Sequence, residues 1–440
     1  MKRYAEYRDS GIEWIGKIPF QWEVKKLKAL GTVKGRIGFK GYTVSDLVDE
    51  ETEGRAIVLG GTNIMKAGYV SFDKLTYISE FKFFESPEIM LSGGEILITK
   101  VGAGTGENAI YEYFEERVTI NPNVMIFIAN NKDYAKYINY YLLSNFIKCD
   151  ISLESNKSGA QPAINQEYVK NIKVTIPSLK EQKDIVKYID ARIDQIDSLI
   201  ADKQKLINLL REKRQATISE AVTSGIDKTV KMKDSGIDWI GEIPAHWDVL
   251  SNHQLFAERN QKNTDANAEL LSVTKYLGVI LQSLAQELRL ATTAPADSTE
   301  GYKVVKKGDL VMNIMRAKDG SYGISSYDGV ISPAYCIYQA RKKCNPQFLY
   351  YLFKTPKYVQ IFKCYSTGIA EHRMRLYPED FNQIPAILPP IVEQDEIVKK
   401  LDAESKQIDE VIALAEQQVE KLKEYRLSII SEVVTGKVVV

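Results

Sequence analysis

The sequence contains few of the residues that cross-link small domains or bind metals. Among its 440 residues there are only four cysteines and three histidines. The cysteines are Cys149, Cys336, Cys344 and Cys364, and the histidines are His246, His253 and His372. No Cys-x-x-Cys pair occurs, which argues against a disulfide framework or a zinc cage. The histidines have no ligand spacing, so we predict no metal site and expect structural or surface roles for all three.

Long apolar stretches are also missing. No run approaches the roughly 18 apolar residues that a membrane-spanning helix needs. The first six residues, Met-Lys-Arg-Tyr-Ala-Glu, lack the apolar core of a signal peptide. We therefore expect a protein of the reducing cytoplasm. The apolar fraction of 44% and the charged fraction of 26% are typical of globular domains, which excludes wholesale disorder.

An excess of either charge is absent overall, because 58 basic residues balance 58 acidic ones. The local balance differs. Residues 250–388 contain 17 basic and 12 acidic residues, whereas residues 391–436 contain 6 and 11. A neutral total can therefore combine one basic surface with one acidic surface, and such surface fields steer charged partners.

An internal repeat organises the chain. Residues 9–24 and 234–249 are identical at 11 of 16 positions, and all four tryptophans lie in these two segments. We call residues 1–24 and 225–249 the first and second heads. A second repeat begins at Pro177 and Pro389, each followed four residues later by Glu-Gln. The chain is therefore one unit used twice.

The segments after these prolines are predicted to be long helices. Residues 180–224 and 391–435 contain no glycine or proline, and their apolar residues step by three and four. The first predicted apolar seam is Ile189, Ile193, Ile196, Ile200, Ile207 and Leu210. The second is Leu401, Ile408, Val411, Ala415, Val419, Leu422, Ile429 and Val433. A seam of this kind requires a partner, so we expect the two helices to pair antiparallel.

The regions between heads and helices have a different pattern. Residues 25–178 and 250–388, the first and second bodies, contain short apolar runs broken by Gly, Asn and Asp. That pattern favours mixed α+β bodies with many strands. Examples are the runs at residues 56–59, 95–98, 124–128 and 309–312, with short helices expected at 134–146 and 346–353.

The two head motifs and the two Pro-x-x-x-Glu-Gln helix starts together resemble the specificity subunits of type I restriction–modification systems. The resemblance covers nearly the whole chain. It implies two target-recognition domains joined by two antiparallel coiled-coil-like helices, with a pseudo-twofold repeat. The corresponding segments are a head at 1–24, a body at 25–178, a helix at 179–224, a head and linker at 225–249, a body at 250–388 and a helix at 389–440.

The same resemblance implies a function. Such a subunit is non-catalytic and binds no cofactor. Each body reads one half of a bipartite double-stranded DNA site, and the helices set the gap between the halves. The subunit docks two adenine-N6 methyltransferase subunits and, through them, endonuclease subunits. Side chains that hydrogen-bond to base edges would supply the specificity, while phosphate contacts fix the register.

Two stretches in each body are candidates for DNA contact. One is a glycine-rich loop after a predicted strand, and the other precedes the start of the long helix. The candidates in the first body are Lys100, Thr105, Lys157, Gln161 and Asn165. The candidates in the second body are Arg316, Lys318, Ser321, Tyr322, Arg373 and Arg375. The alternative interpretations stay open: ordinary hairpin loops, local turn caps at Gln161 and Asn165, and a solvated face at Arg373 and Arg375.

The repeated tryptophans also have two interpretations. As large amphipathic side chains they are candidates for docking the methyltransferase subunits, or they pack in the core against the helices. These residues are Trp14, Trp22, Trp239 and Trp247.

Two other functions compete with DNA recognition. One is a protein–protein scaffold with two recognition bodies on a coiled coil. The other is an enzyme that binds a cofactor at Gly102–Gly106. The glycine spacing there mimics a nucleotide-binding loop, but residues 107–113 read as a strand rather than the required helix. No amino-methyltransferase motif, P-loop or nuclease-like carboxylate cluster is found.

Overall fold

The computed structural model describes residues 3–36, 41–112, 116–158, 161–290, 298–341, 344–369 and 373–440. The chain divides into two compact units. The first unit is Met1–Gln204 with Glu416–Val440, and the second is Lys205–Ala415. Each long helix therefore contributes one part to each unit.

The first unit contains the first head and the first body. Its strands are β1 Tyr7–Asp9, β2 Lys17–Pro19, β3 Glu23–Lys26, β4 Gly31–Lys34, β5 Leu47–Val48, β6 Ala56–Leu59, β7 Thr76–Ile78, β8 Ile96–Thr99, β9 Asn108–Ile110, β10 Val118–Ile120, β11 Val124–Ala129 and β12 Lys173–Ile176. Its short helices are α1 Glu80–Phe84, α2 Lys132–Leu143, α3 Asn145–Ser155 and α4 Gln166–Asn171, and the long helix α5 Leu179–Ser224 begins here.

The second unit contains the second head and the second body. Its strands are β13 Met232–Asp234, β14 Glu242–Pro244, β15 Asp248–Ser251, β16 Phe256–Glu258, β17 Leu271–Thr274, β18 Gly278–Leu281, β19 Lys303–Val305, β20 Leu310–Asn313, β21 Tyr322–Ile324, β22 Gly329–Ile331, β23 Tyr335–Ala340 and β24 Pro385–Leu388. Its helices are α6 Asn252–Leu255, α7 Gln282–Glu287, α8 Pro346–Phe353, α9 Pro356–Cys364 and α10 Pro378–Gln383, and the long helix α11 Ile391–Val434 begins here.

The two bodies share a central antiparallel sheet. Its strand order is β4-β11-β8-β9 in the first body and β16-β23-β20-β21 in the second. Around this sheet the bodies differ. The first has a further four-stranded sheet, β10-β6-β7-β5, whereas the second has two ribbons, β17-β18 and β19-β22. The predicted α+β class with two similar bodies is confirmed.

The short helices differ in one detail from the prediction. The helix expected at 134–146 is two helices, α2 and α3, because Ser144 between them has an extended backbone. The Ser144 hydroxyl donates to the carbonyl oxygen of Tyr141 at 2.7 Å and so closes the first helix. The helix predicted at 346–353 is α8, with Pro346 at its first position, where the missing N–H costs nothing.

The long helices start and stop where the sequence predicts, since their interiors contain no glycine or proline. Within the second unit, Ile207 packs with Ile412 and Ala415, and Arg214 forms an ion pair with Asp409 at 3.5 Å. Residue numbers rise on one helix as they fall on the other, so the predicted antiparallel pairing is confirmed. In the first unit, Asp197 pairs with Arg426 at 3.3 Å.

One seam position is wrong. The prediction placed Val411 in the second seam, but its side chain is 45% exposed, and Ile412 is buried instead at 9%. Both residues fit a spacing of three or four from Ile408 and Ala415, so the sequence alone does not separate them. The helix face turned toward Ile207 is the one that contains Ile412.

Candidate nucleic-acid interface

The candidate loops occupy equivalent places in the two bodies. Strands β8 and β9 form a hairpin in which Ile98 pairs with Asn108, and strands β20 and β21 form one in which Met312 pairs with Tyr322. The connecting residues are 100–107 and 314–321, which we call the first and second hairpin loops. Because both partner pairs differ by 214 residues, the two loops align residue by residue.

In the first body the loop lies against the segment that precedes the long helix. The Gly102 amide donates to the carbonyl oxygen of Pro162 at 3.1 Å. The Thr105 hydroxyl donates to the same oxygen at 3.0 Å and to that of Gly102 at 2.7 Å. The amide of Ile164 donates to the carbonyl oxygen of Lys100 at 2.9 Å. Two stretches that are separate in the sequence therefore form one surface.

The predicted residues on this surface have different environments. Gln161 is exposed, and Lys100 is half-buried. Lys157 is exposed but forms an ion pair with Glu154 at 2.7 Å. The Asn165 side chain accepts from the amide of Tyr168 at 2.8 Å and so caps helix α4. Capping was the alternative interpretation for Asn165, although the residue as a whole is exposed.

The second body brings its two stretches together in the same way. Thr367 and Arg375 form a two-way backbone bridge at 2.9 Å in each direction, and the amide of Leu376 donates to the carbonyl oxygen of Ile314 at 2.9 Å. Arg316, Arg373 and Arg375 are exposed. The expected strand through both arginines is reduced, in the described part of this segment, to that single bridge. His372 lies outside the described residues.

Two predictions in the second loop need correction. Tyr322 is fully buried, and its hydroxyl donates to the carbonyl oxygen of Phe353. Ser321 is only 5% exposed. Neither side chain is open to DNA in the way that was predicted: Tyr322 packs in the core of the second body, and Ser321 is covered except where it borders the concave site described below. Lys318 is only partly exposed and pairs with Asp319 at 3.1 Å.

The sequence did not reveal a concave site beside the second loop. It has a volume of about 250 Å³ and is lined by both polar and aromatic side chains. Its lining includes Lys275, Gln282, Asn313, Arg316, Ser321 and Tyr335. The Asn313 amide donates to the Tyr335 hydroxyl at 3.4 Å. Burial raises the pKa of Tyr335, while Asn313 and Arg316 oppose that shift.

Only Arg316 and Ser321 of this set were candidates beforehand. The missed residues come from the turn between β17 and β18, from the start of helix α7 and from the strand ends at Asn313 and Tyr335, and only the tertiary fold brings them together. A Lys-Tyr-Leu turn between two apolar runs at residues 271–281 was the one available signal.

The head tryptophans belong mainly to the core. Trp22 and Trp247 are completely buried. The indole N–H of Trp22 donates to Glu181 at 3.1 Å, and that of Trp247 donates to Glu393 at 3.1 Å. The docking interpretation is therefore corrected for these two residues, since no partner reaches a buried indole.

The other two tryptophans are partly buried. Trp14 stacks on Phe146 with ring centroids 6.0 Å apart, and Trp239 meets Tyr358 edge-on at 5.0 Å. Each indole thus has an intramolecular partner, as the core-packing alternative requires. For the exposed portions of these two rings, docking of a partner stays a prediction.

The described residues contain no group of three or more His, Cys, Asp or Glu side chains placed to hold a metal ion. His246 lies 2.7 Å from Glu393, and His253 is exposed. After the first hairpin loop the chain continues as strand β9 rather than a helix, as the sequence predicted. No helix in the described part of the chain is long and apolar enough to span a membrane.

Comparison with known proteins shows what this chain is similar to. Residues 19–209 match the family described as "Type I restriction modification DNA specificity domain". A protein of Methanocaldococcus jannaschii described as "Putative type I restriction enzyme MjaX specificity subunit" is 26% identical over 443 residues, covering 96% of this chain and 95% of that protein. The MjaVIII specificity subunit of the same organism is 24% identical, covering 96% and 94%.

Solved structures share the fold. A chain described under "Structural basis underlying complex assembly and conformational transition of the type I R-M system" superposes with a TM-score of 0.67 at 15% identity, covering 95% of this chain and 98% of that one. The HsdS subunit from Thermoanaerobacter tengcongensis gives a TM-score of 0.50 at 15% identity, covering 96% and 98%. The predicted resemblance to type I specificity subunits is confirmed over almost the whole chain.

Proposed function

We propose that this chain is the non-catalytic subunit that selects DNA sites for a type I restriction–modification complex. Each body reads one half of a bipartite duplex site, and the paired helices set the gap between the halves. The chain also holds two adenine methyltransferase subunits and, through them, endonuclease subunits.

One observation supports this proposal most strongly. Two sheets of the same strand order each present a hairpin loop beside a second polar segment, and the two loops have different side chains. A shared frame with unlike loops is the arrangement expected of two readers with different sequence preferences. Exposed Gln161 in one body and Arg316 in the other are suited to adenine and guanine edges, respectively.

The helices are suited to the role of a ruler. They contain 46 and 44 residues, which correspond to about 65–70 Å of unbroken helix. Half-sites on one face of a duplex repeat about every 34–36 Å. A continuous helix transmits a fixed spacing, whereas a flexible linker does not.

The test is a gel-shift competition with the chain bound to its methyltransferase partner. A genomic map of methylated adenines, made with and without this chain, supplies the target. We expect scrambling of the target bases to weaken binding strongly. Equal affinity for scrambled and intact duplexes, combined with a weak salt dependence, would instead favour the protein–protein scaffold.

Module exchange tests the division of labour. Replacing residues 250–388 with the corresponding body of another relative should alter one half of the recognised site only. Removing seven residues from each long helix should shorten the gap between the halves. Changes in both halves, or an unchanged gap, would contradict independent readers on a ruler.

A further inference from the structure

Both hairpin loops end in the same backbone feature. Gly106 and Gly320 occupy the aligned position, and their φ angles are +87° and +85°. Residues with a side chain rarely adopt this left-handed conformation. At each glycine the chain leaves the loop and enters the second strand of the hairpin, so its position determines where the loop side chains lie.

A lysine binds the carbonyl oxygen of each of these glycines. In the first body the Lys148 ammonium donates to the carbonyl oxygen of Gly106 at 2.7 Å. In the second body the Lys354 ammonium donates to the carbonyl oxygen of Gly320. The side chain of Lys148 is only 23% exposed. Lys354 is half-buried, and its ammonium group lies 4.7 Å from the ring centroid of Tyr322 and 5.3 Å from that of Tyr350.

The two lysines are not counterparts in the repeat. Gly106 and Gly320 are 214 residues apart, whereas Lys148 and Lys354 are 206 apart. Lys148 lies within helix α3, and Lys354 follows the last residue of helix α8. Lysines at non-equivalent positions thus bind the carbonyl oxygen of the equivalent glycine in the two bodies. This indicates that the loop itself requires a bound cation, since the contact was not simply copied when the unit was duplicated.

The surroundings of the two ammonium groups also differ in chemistry. Lys148 additionally contacts the carboxylate of Glu107 at 3.0 Å and the side-chain oxygen of Asn108 at 3.1 Å. Tyr322 occupies the position aligned with Asn108, and its ring centroid lies 4.7 Å from the Lys354 ammonium. The ammonium group is therefore contacted by the buried amide of Asn108 in the first body and by the aromatic ring of Tyr322 in the second.

Lys354 also joins the loop to its neighbour. Its ammonium donates to the carbonyl oxygen of Lys275 at 3.0 Å, in the turn between β17 and β18. Lys275 and Arg316 both line the 250 Å³ concave site. One cation therefore fixes two of the walls of that site relative to each other.

Stability alone is a poor explanation for these contacts. Covering an ammonium group costs free energy unless its partners compensate, and an apolar side chain often serves as well. Burial, followed by the nearby charge of Lys275, lowers the pKa of Lys354 to about 8. Burial also lowers the pKa of Lys148, against the opposing effect of Glu107.

We propose that Lys148 and Lys354 are positioning residues that hold the two hairpin loops in the conformation that discriminates between DNA bases. This inference rests on the proposed function, because it assigns the loops to base reading. Neither lysine touches DNA itself. Each acts on one half-site through the loop whose glycine it binds.

The experiment compares Lys148→Met and Lys354→Met in the full chain with its methyltransferase partner. Methionine keeps the length and loses the charge and the donors. Binding is measured for the target and for duplexes with either half scrambled. We expect Lys148→Met to reduce discrimination tenfold or more at one half only, and Lys354→Met at the other half only. Affinity for fully scrambled duplex should stay within about threefold of the wild-type value.

Exposed lysines provide matched controls. Lys132→Met in the first body and Lys357→Met in the second remove the same charge from exposed helix positions. We expect neither to alter discrimination. Equal losses in the controls, or losses at both halves from one variant, would show a charge effect and overturn the proposal.

Hydrogen exchange gives a second measurement that does not depend on DNA. Amides of residues 100–107 in Lys148→Met, and of residues 314–321 in Lys354→Met, should exchange at least tenfold faster while strands β11 and β23 are unchanged. If a methionine variant does not fold, the Lys→Arg variant takes its place. Its planar group directs its donors differently, so a smaller loss at the same half-site is expected.

The failures are distinguishable. If wild-type protein binds scrambled and intact targets equally, the proposed function fails. If wild-type protein discriminates and both lysine variants discriminate equally well, the positioning proposal alone is wrong. Unchanged exchange in both loops also overturns it.

Discussion

The contact between each head and the start of its long helix gives the sharpest prediction. Glu181, the first residue of the Glu-Gln motif, accepts from the Trp22 indole at 3.1 Å and from the Tyr4 hydroxyl at 2.6 Å. Burial and Glu181 together raise the pKa of Tyr4, so the phenol stays protonated and keeps donating. The motif therefore fastens the head to the helix.

Replacing Trp22 with phenylalanine removes the indole donor, so that of these two hydrogen bonds to Oε1 of Glu181 only the one from the Tyr4 hydroxyl is left. A hydrogen bond to a charged group contributes about 1.5–3 kcal/mol. The smaller ring also loses packing in a site where the indole is fully buried. We expect a total loss of about 2–4 kcal/mol of local stability.

Hydrogen exchange is the suitable assay, because a chain with two compact units does not unfold in one step. A loss of 2 kcal/mol corresponds to about thirtyfold faster exchange of the protected amides in residues 3–36. Glu181→Gln and the double variant complete a cycle, in which we expect a coupling of about 1–2 kcal/mol with Trp22.

Phe20→Ala is the matched control, since Phe20 is two residues away and 61% exposed. It should change exchange little. If Trp22→Phe left exchange unaltered and instead abolished binding of the proposed methyltransferase partner, Trp22 would be a docking residue and its assignment to the core would be wrong.

Three further outcomes are expected. Ile412→Asn should lower the urea midpoint of the second unit by an amount equivalent to about 3 kcal/mol of unfolding free energy, because it places a polar group in the buried seam. Val411→Asn, at an exposed position, should change the unfolding free energy by no more than about 0.5 kcal/mol. Similar effects of the two substitutions would contradict the observed seam. Gly436→Ala should speed exchange in residues 416–440, because its φ is +72° and a Cβ atom would lie 2.3 Å from Pro19; unchanged exchange would be inconsistent with this packing. Lys354 has a pKa lowered to about 8, so between pH 8 and 10 the unfolded chain binds more protons there and stability rises with pH. Relative to the Lys354→Met variant, the free energy of unfolding of the wild-type protein, measured in urea titrations, should rise by up to about 3 kcal/mol across that pH window. If the difference in unfolding free energy between the two proteins did not change with pH, the lowered pKa of Lys354 would be refuted.

The sequence was sufficient for features that local chemistry decides. The absence of glycine and proline over about 45 residues defines each long helix, and both bounds agree with the structure within a residue. The head repeat was visible because the same turn is made twice. In both heads an aspartate, Asp9 or Asp234, accepts from the amide two residues later, at 2.8 and 2.9 Å.

Features that depend on distant contacts were harder to predict. Tyr322 follows a glycine-rich loop and looked exposed, but Phe353, 31 residues away, accepts its hydroxyl. The roles of Lys148 and Lys354 had no local signal, because each lysine binds a carbonyl more than 30 residues distant. Every residue has a backbone carbonyl oxygen, so the sequence does not show which carbonyl a lysine will bind.

The distribution of identity between the two copies can now be explained physically. Trp22 and Glu181 form the same indole–carboxylate bond as Trp247 and Glu393, and these are the positions at which the repeat is easiest to see. The hairpin loops, in contrast, keep only their register, their left-handed glycine and one alanine, which is Ala103 in the first loop and Ala317 in the second. A transplanted second loop would therefore meet Lys148 without Tyr322 or the Lys275 turn that completes its anchoring. Under the proposed function, the smallest unit that can carry a sequence preference from one protein to another is consequently the whole body, and an exchange of residues 314–321 alone should fail to transfer the second half-site in the gel-shift assay.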